Sequence, residues 1–169
     1  MFRNSRKVDE KVAMISYGNV ERILTEQLRD TAQEGGAITN EQYEHLYNSF
    51  GAEFAPGLNT DAFEAVFVKG TDTEIDSYSG FFDNGHRKAT GLGDYLKEKG
   101  VEEVYILGLA LDVCVKFTVL DALGLGFKTY LVEDGCRGVN LNEGDSDKAL
   151  SEMREKGAII AQSDQIITS

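Results

Sequence analysis

Two side chains have the type and the place to do covalent chemistry, Cys114 and Lys69. Cys114 follows the apolar run 104–107 and the turn Gly108-Leu109-Ala110-Leu111-Asp112, and it stands in the first turn of the next helical segment. In an open α/β sheet such a strand-to-helix junction is where ligands and catalytic groups collect. A helix start offers its dipole and unbonded N–H groups, which favour a thiolate and can hold an oxyanion. A cysteine that merely fills space under a helix fits the same pattern, and position alone leaves the two readings level. Lys69 ends the run Ala65-Val66-Phe67-Val68-Lys69 ahead of Gly70, so its ammonium falls at the same carboxyl edge of the sheet. A positive charge there stabilises a thiolate or a developing anion; without the cysteine, a solvated strand-end lysine would suffice. Asp112, two residues before Cys114, reads as the N-cap of the helix and not as a base.

The remaining polar candidates are less specific. Asp72, Glu74, Asp76 and Asp83 lie in the stretch 70–85 with Tyr78, Phe81 and Phe82, and His86 follows. Such a loop either lines a pocket with rings or is an acidic surface loop, and composition does not separate the two. His45 and His86 are the only histidines, and neither has the spacing of a metal site. Cys136, in Glu133-Asp134-Gly135-Cys136-Arg137-Gly138, reads as a packed residue after a strand.

The elements that must position these groups are legible from residue 61 onward. The pattern predicts strands at 65–69, 103–107, 128–132 and 158–161, and helices at 92–99, 113–123 and 146–156 that stop at Gly100, Gly124 and Gly157. That alternation describes a parallel sheet covered by helices. Earlier, 11–17 is strand-like, Ile23, Leu24 and Leu28 share one helical face, and Thr39-Asn40-Glu41-Gln42 is a capping box opening a helix through Tyr47. Residues 51–58, with the only proline at Pro56, form a loop. The reading is one domain, with a divergent segment 1–50 ahead of an α/β core at 51–169.

The 169 residues carry 29 acidic against 17 basic side chains, a formal charge of -12. That balance repels phosphate backbones and anionic membrane surfaces, so nucleic acid and membranes are not expected partners. No apolar run is long enough to span a bilayer, and a cytoplasmic protein is expected. In that compartment Cys114 and Cys136 are expected to be free thiols with separate roles.

Several motifs, in order, resemble bacterial nicotinamidases. They are Phe67-Val68-Lys69-Gly70-Thr71-Asp72, Asp76-Ser77-Tyr78-Ser79-Gly80-Phe81-Phe82-Asp83-Asn84-Gly85, Gly108-Leu109-Ala110 through Cys114-Val115, and Glu133-Asp134-Gly135-Cys136-Arg137-Gly138-Val139. Gly51-Ala52-Glu53-Phe54 and Pro56-Gly57-Leu58 extend the likeness ahead of the lysine strand. The resemblance implies the isochorismatase-like hydrolase fold, a three-layer α/β/α architecture with a parallel sheet, here lacking part of the N-terminal portion. It implies that Cys114 attacks the carboxamide carbon of nicotinamide, giving nicotinate and ammonia through a thioester in NAD salvage, with Lys69 beside it. It further implies an oxyanion hole from the N–H groups of Ala110 and Cys114, and a cis peptide between Ala110 and Leu111. The same resemblance implies that Tyr78 lines the pyridine pocket and that Leu111, standing where the family usually has Thr, contacts substrate.

The sequence also departs from the family. The Asp-x-Gln-Asn-Asp-Phe strand that supplies a general base is not found; Ser16 or Tyr17 falls at its place, and Asp9 and Glu10 precede the run. The Asp-x-His pair for a divalent zinc, iron or manganese ion is missing too, and His45 alone resembles the third ligand. An absent acid–base group implies turnover lower by about two to four powers of ten. The alternative is an inactive or truncated relative acting as a binding or assembly module. Unpaired strand edges would then favour association with itself or with a full-length relative.

Overall fold

The computed structural model describes residues 2–4, 7–12, 61, 63–72 and 74–167. In chain order these form strands β1 (Phe2–Asn4) and β2 (Lys7–Val12), helix α1 (Leu92–Glu98) and strand β3 (Glu103–Leu109). A π-helical turn (Leu111–Val115) then runs into helix α2 (Lys116–Gly124), followed by β4 (Lys128–Arg137), α3 (Asp145–Glu155), β5 (Ile159–Ala161) and α4 (Ser163–Ile167).

The architecture is α/β, as the alternating pattern predicts. β3, β4 and β5 are parallel, and the strand order across the sheet is β2-β1-β3-β4-β5. The sheet is mixed and not wholly parallel, because β1 pairs antiparallel with both β2 and β3. The strand-like run expected to start at Lys11 begins instead at Lys7, where it folds back on β1 with Phe2 opposite Val12. Beyond Val12, that run, the two N-terminal helices, the 51–58 loop and His45 lie outside the described residues.

The core forms where helix faces meet the sheet. Val104, Tyr105 and Ile106 of β3 and Thr129, Leu131 and Val132 of β4 are all buried, as expected of inner strands covered on both faces. On the helix side, Val115, Thr118, Val119 and Ala122 recur with helical spacing and are all buried. Leu92 and Leu96 of α1, and Ala149 and Met153 of α3, do the same one turn apart. α1 ends as expected: Val101 N–H reaches back to the Leu96 carbonyl at 3.0 Å, and Gly100 takes φ 67, a conformation that favours glycine.

Two further expectations need correction. Residues 65–69 belong to no ladder among the described residues; β1 pairs with β3 instead. The segment is tied to α1, with Phe67 against the Tyr95 ring at 5.1 Å and the Tyr95 hydroxyl donating to Glu64 at 2.7 Å. β4 also continues past Val132 to Arg137, so Cys136 is a strand residue rather than one that follows a strand. The register moves from Ile106 opposite Leu131 to Gly108 opposite Cys136, a bulge that inserts extra residues into β4. Gly135 fits there because a Cβ would stand 3.0 Å from Leu107 Cδ1. None of the described helices is long and apolar enough to cross a membrane.

If this core holds the fold, Leu131→Ala lowers unfolding free energy by about 2–5 kcal/mol. Truncating Leu141, 83% exposed, changes it by about 0.5 kcal/mol or less. Denaturant titration of both variants followed by circular dichroism makes the comparison.

Candidate active site

β3 delivers the chain to the carboxyl edge of the parallel strands and ends in a cis peptide between Leu109 and Ala110. This is one residue earlier than the resemblance implied. The helical turn opens directly at Leu111, so the reversal is complete at Ala110, which is extended (φ −97, ψ 144). The Ala110 carbonyl accepts from Val113 N–H at 3.1 Å and Val115 N–H at 3.0 Å, and so passes over the Cys114 amide between them. Cys114 therefore sits in a wide first turn whose N–H groups are not all directed along the helix.

Lys69 meets Cys114 across this edge. Its Nζ lies 3.2 Å from Cys114 Sγ, 2.9 Å from the Ser77 carbonyl and 3.0 Å from the Tyr78 carbonyl. An ammonium has three protons to donate and accepts nothing, so these three acceptors use it fully and the sulfur is on the accepting side. A cation in that position draws negative charge onto the sulfur.

The loop supplying the two carbonyls is held by its own side chains. Asp83 accepts from the N–H groups of Gly85, Arg87 and Lys88 at 3.0, 2.8 and 2.9 Å. Burial alone raises the Asp83 pKa, but those amide donors and the Arg87 charge outweigh it and hold the carboxyl below its ordinary range. Asn84 accepts from Tyr78 N–H at 3.0 Å, and Thr90 donates to the Gly80 carbonyl at 2.7 Å. Of the rings in this loop, Phe81 enters the core beside Phe127 and Phe82 stacks on His86 at 4.7 Å. Tyr78 packs on Phe117 of α2 at 5.5 Å.

The other candidates fall as follows. Leu111 is buried within the hydrophobic core, since the first residue of the turn points back under the helix, and it offers substrate little surface. Asp112 is not an N-cap: Ala110 holds that place, and no side chain caps the turn. As the second residue inside the turn, its carboxylate instead accepts from Val139 N–H at 2.9 Å and Asn140 N–H at 2.7 Å, clasping the segment after β4 to the Cys114 turn. At Gly138 an added Cβ would fall 2.0 Å from Ser146 Oγ, so a larger residue there would displace that hydroxyl. Cys136 is buried and its thiol donates to the Val132 carbonyl at 3.3 Å. Burial pushes its pKa up, which suits a packing thiol and not a nucleophile. Phe117 and Thr118 escaped the sequence reading, although their spacing of three and four residues from Cys114 places them on its side of the helix. A cleft of about 310 Å³ lies along 66–72 with Lys69 and Lys88 in its wall, and Cys114 is not among its lining residues.

The family follows from comparison with known proteins. The isochorismatase domain model matches residues 19–165, and the chain belongs to that family. The nicotinamidase of Escherichia coli K12 is 51% identical over 115 residues, covering 68% of this chain and 54% of that protein. The chain thus spans about half the length of the curated relatives it matches first. A Leishmania infantum protein solved in complex with nicotinate superposes with TM-score 0.65 at 33% identity, over 69% of this chain and 58% of its own. A pyrazinamidase of Pyrococcus horikoshii in complex with zinc has TM-score 0.59 at 26% identity, over 90% of this chain and 99% of its own.

That zinc complex raises the question of a metal here. Among the described residues no three His, Cys, Asp or Glu side chains converge. His86 is paired with Asp121 at 3.3 Å, and Asp83 is taken up by three amides. These two described residues do not fit a metal.

The Asp83 clasp gives a pH dependence of known sign. A carboxyl whose folded pKa lies below its unfolded value of about 3.9 stabilises the fold above that pH and loses this as pH falls through the folded value. The Asp83 contribution to melting temperature should therefore be intact from about pH 7 to about pH 5 and be lost as pH falls below about 4. Asp83→Asn should melt lower at neutral pH and show a smaller acid-induced drop. An unchanged drop would place the acid sensitivity elsewhere.

Proposed function

We propose that the chain is a nicotinamidase-type amide hydrolase, acting in the cytoplasm as a step of NAD salvage. In this reading residues 51–169 form the hydrolase core of a single domain. The observation that carries the proposal is the 3.2 Å contact between Lys69 Nζ and Cys114 Sγ at the carboxyl edge of the sheet. The nicotinamidase relatives and the nicotinate complex of the Leishmania protein support the choice of a pyridine carboxamide.

The residues at hand suffice for a balanced reaction. With the pair as thiolate and ammonium, Cys114 Sγ attacks the carboxamide carbon, and the carbonyl electron pair moves onto oxygen. The N–H groups of Ala110 and Cys114 are the proposed donors to that oxyanion. As the C–N bond breaks, Lys69 gives a proton to the departing nitrogen, ammonia leaves, and a thioester faces a neutral amine. The amine then takes a proton from the attacking water, the C–S bond breaks, and nicotinic acid departs with the thiolate and ammonium restored. Tyr78, braced by Phe117, is the proposed wall for the pyridine ring. A lysine serving both proton transfers is less effective than a separate acid–base group, and turnover about two to four powers of ten below a fully equipped enzyme is expected.

Ammonia release from nicotinamide by the purified chain, with and without added zinc, iron or manganese, tests the proposal. The parent should release ammonia and Cys114→Ala none, and acid-quenched parent should carry a nicotinoyl adduct on Cys114 by mass. Equal release by the two proteins would refute it.

A further inference from the structure

Thr118 lies in the first turn of α2 and is 1% exposed. Its hydroxyl donates to the Cys114 carbonyl at 2.7 Å and accepts from Gly80 N–H at 2.9 Å. The first bond, to the carbonyl four residues back, is common for threonine in helices and fixes the side-chain rotamer. The second is not local: it crosses 38 residues of sequence to the loop whose Ser77 and Tyr78 carbonyls hold the Lys69 ammonium. Gly80 is two residues beyond Tyr78, so one buried hydroxyl joins the backbone of the nucleophile to the backbone that aims the cation. Lys69 bonds to the same two segments, but through the Cys114 sulfur, whereas Thr118 ties backbone to backbone.

We infer that Thr118 is a positioning residue that sets the Lys69–Cys114 distance by pinning the Gly80 loop to the Cys114 turn. The inference rests on the hydrolase reading for its purpose, but its geometry concerns the sulfur alone. A buried hydroxyl that both donates and accepts has no water competing for either bond, so it transmits the placement of one segment to the other. Thr118→Val keeps the shape and removes both bonds. Thr118→Ser keeps both bonds and removes only a methyl group.

Alkylation of Cys114 by iodoacetamide at neutral pH, mapped by mass to separate it from Cys136, reads the result. Thr118→Val should slow the reaction about tenfold or more, as a displaced cation would, while Thr118→Ser stays within about twofold of the parent. If nicotinamide is turned over, kcat should fall in Thr118→Val with KM held, and Thr118→Ser should restore it. A folded Thr118→Val that is alkylated at the parental rate would overturn the inference. If Val prevents folding, Thr118→Ser still decides, since alkylation slowed tenfold there would overturn it as well. The expected alkylation order in a chain that releases no ammonia would sink the amidase reading and leave this inference standing.

Discussion

A lysine ammonium is a poor neighbour for a protein interior unless each proton has an acceptor, and that requirement organises this molecule. Lys69 meets it with two backbone carbonyls and one sulfur, all between 2.9 and 3.2 Å. Two of the three acceptors are fixed by the Ser77–Tyr78 backbone, so the cation cannot turn away without stranding a carbonyl. The third, Cys114, is the acceptor on which the proposed chemistry acts. Placing a fixed positive charge beside a sulfur costs no rearrangement at the moment of reaction, which is how preorganised electrostatics assist charge development.

The rest of the described fold serves that contact from two directions. β3 and its turn into α2 bring the sulfur to the carboxyl edge, and the Asp112 carboxylate keeps the turn fastened to the chain leaving β4. The loop around Asp83 and Asn84 holds the carbonyls, and Phe81 roots that loop in the core. The bulge in β4 has a part as well. It buries Cys136 with its thiol bonded to a carbonyl, leaving the two cysteines in different surroundings although both belong to the same edge of the sheet.

Much of this was legible in the sequence, for identifiable reasons. The glycines at 100 and 157 marked the ends of two helices to within a residue or two because capping is a local matter. The meeting of Lys69 and Cys114 was legible from the place of Lys69 after an apolar run ahead of Gly70 and of Cys114 just after β3, even though 65–69 joins no ladder among the described residues. What escaped was set by distant partners. Whether 65–69 joins the sheet depends on what pairs with β3, and β1 does so. Asp112 has the composition of an N-cap, but its acceptors are claimed by Val139 and Asn140, a bond 27 residues away that no local rule shows. Leu111, inferred from a family position, turned into the core once the helical turn opened at that residue. Thr118 and Phe117 look like ordinary helix residues until the loop they touch is known.

The central claim is that the Lys69 charge, and not burial under a helix, makes the Cys114 sulfur reactive. Lys69→Met keeps most of the side-chain volume and removes the charge, whereas Lys69→Arg retains the charge. Second-order rates of Cys114 modification by a neutral alkylating reagent at neutral pH, compared across the parent and these two variants, address it directly. The account predicts that Met slows modification on the order of tenfold or more while Arg stays closer to the parent. Equal rates in parent and Lys69→Met, both proteins being folded, would contradict it.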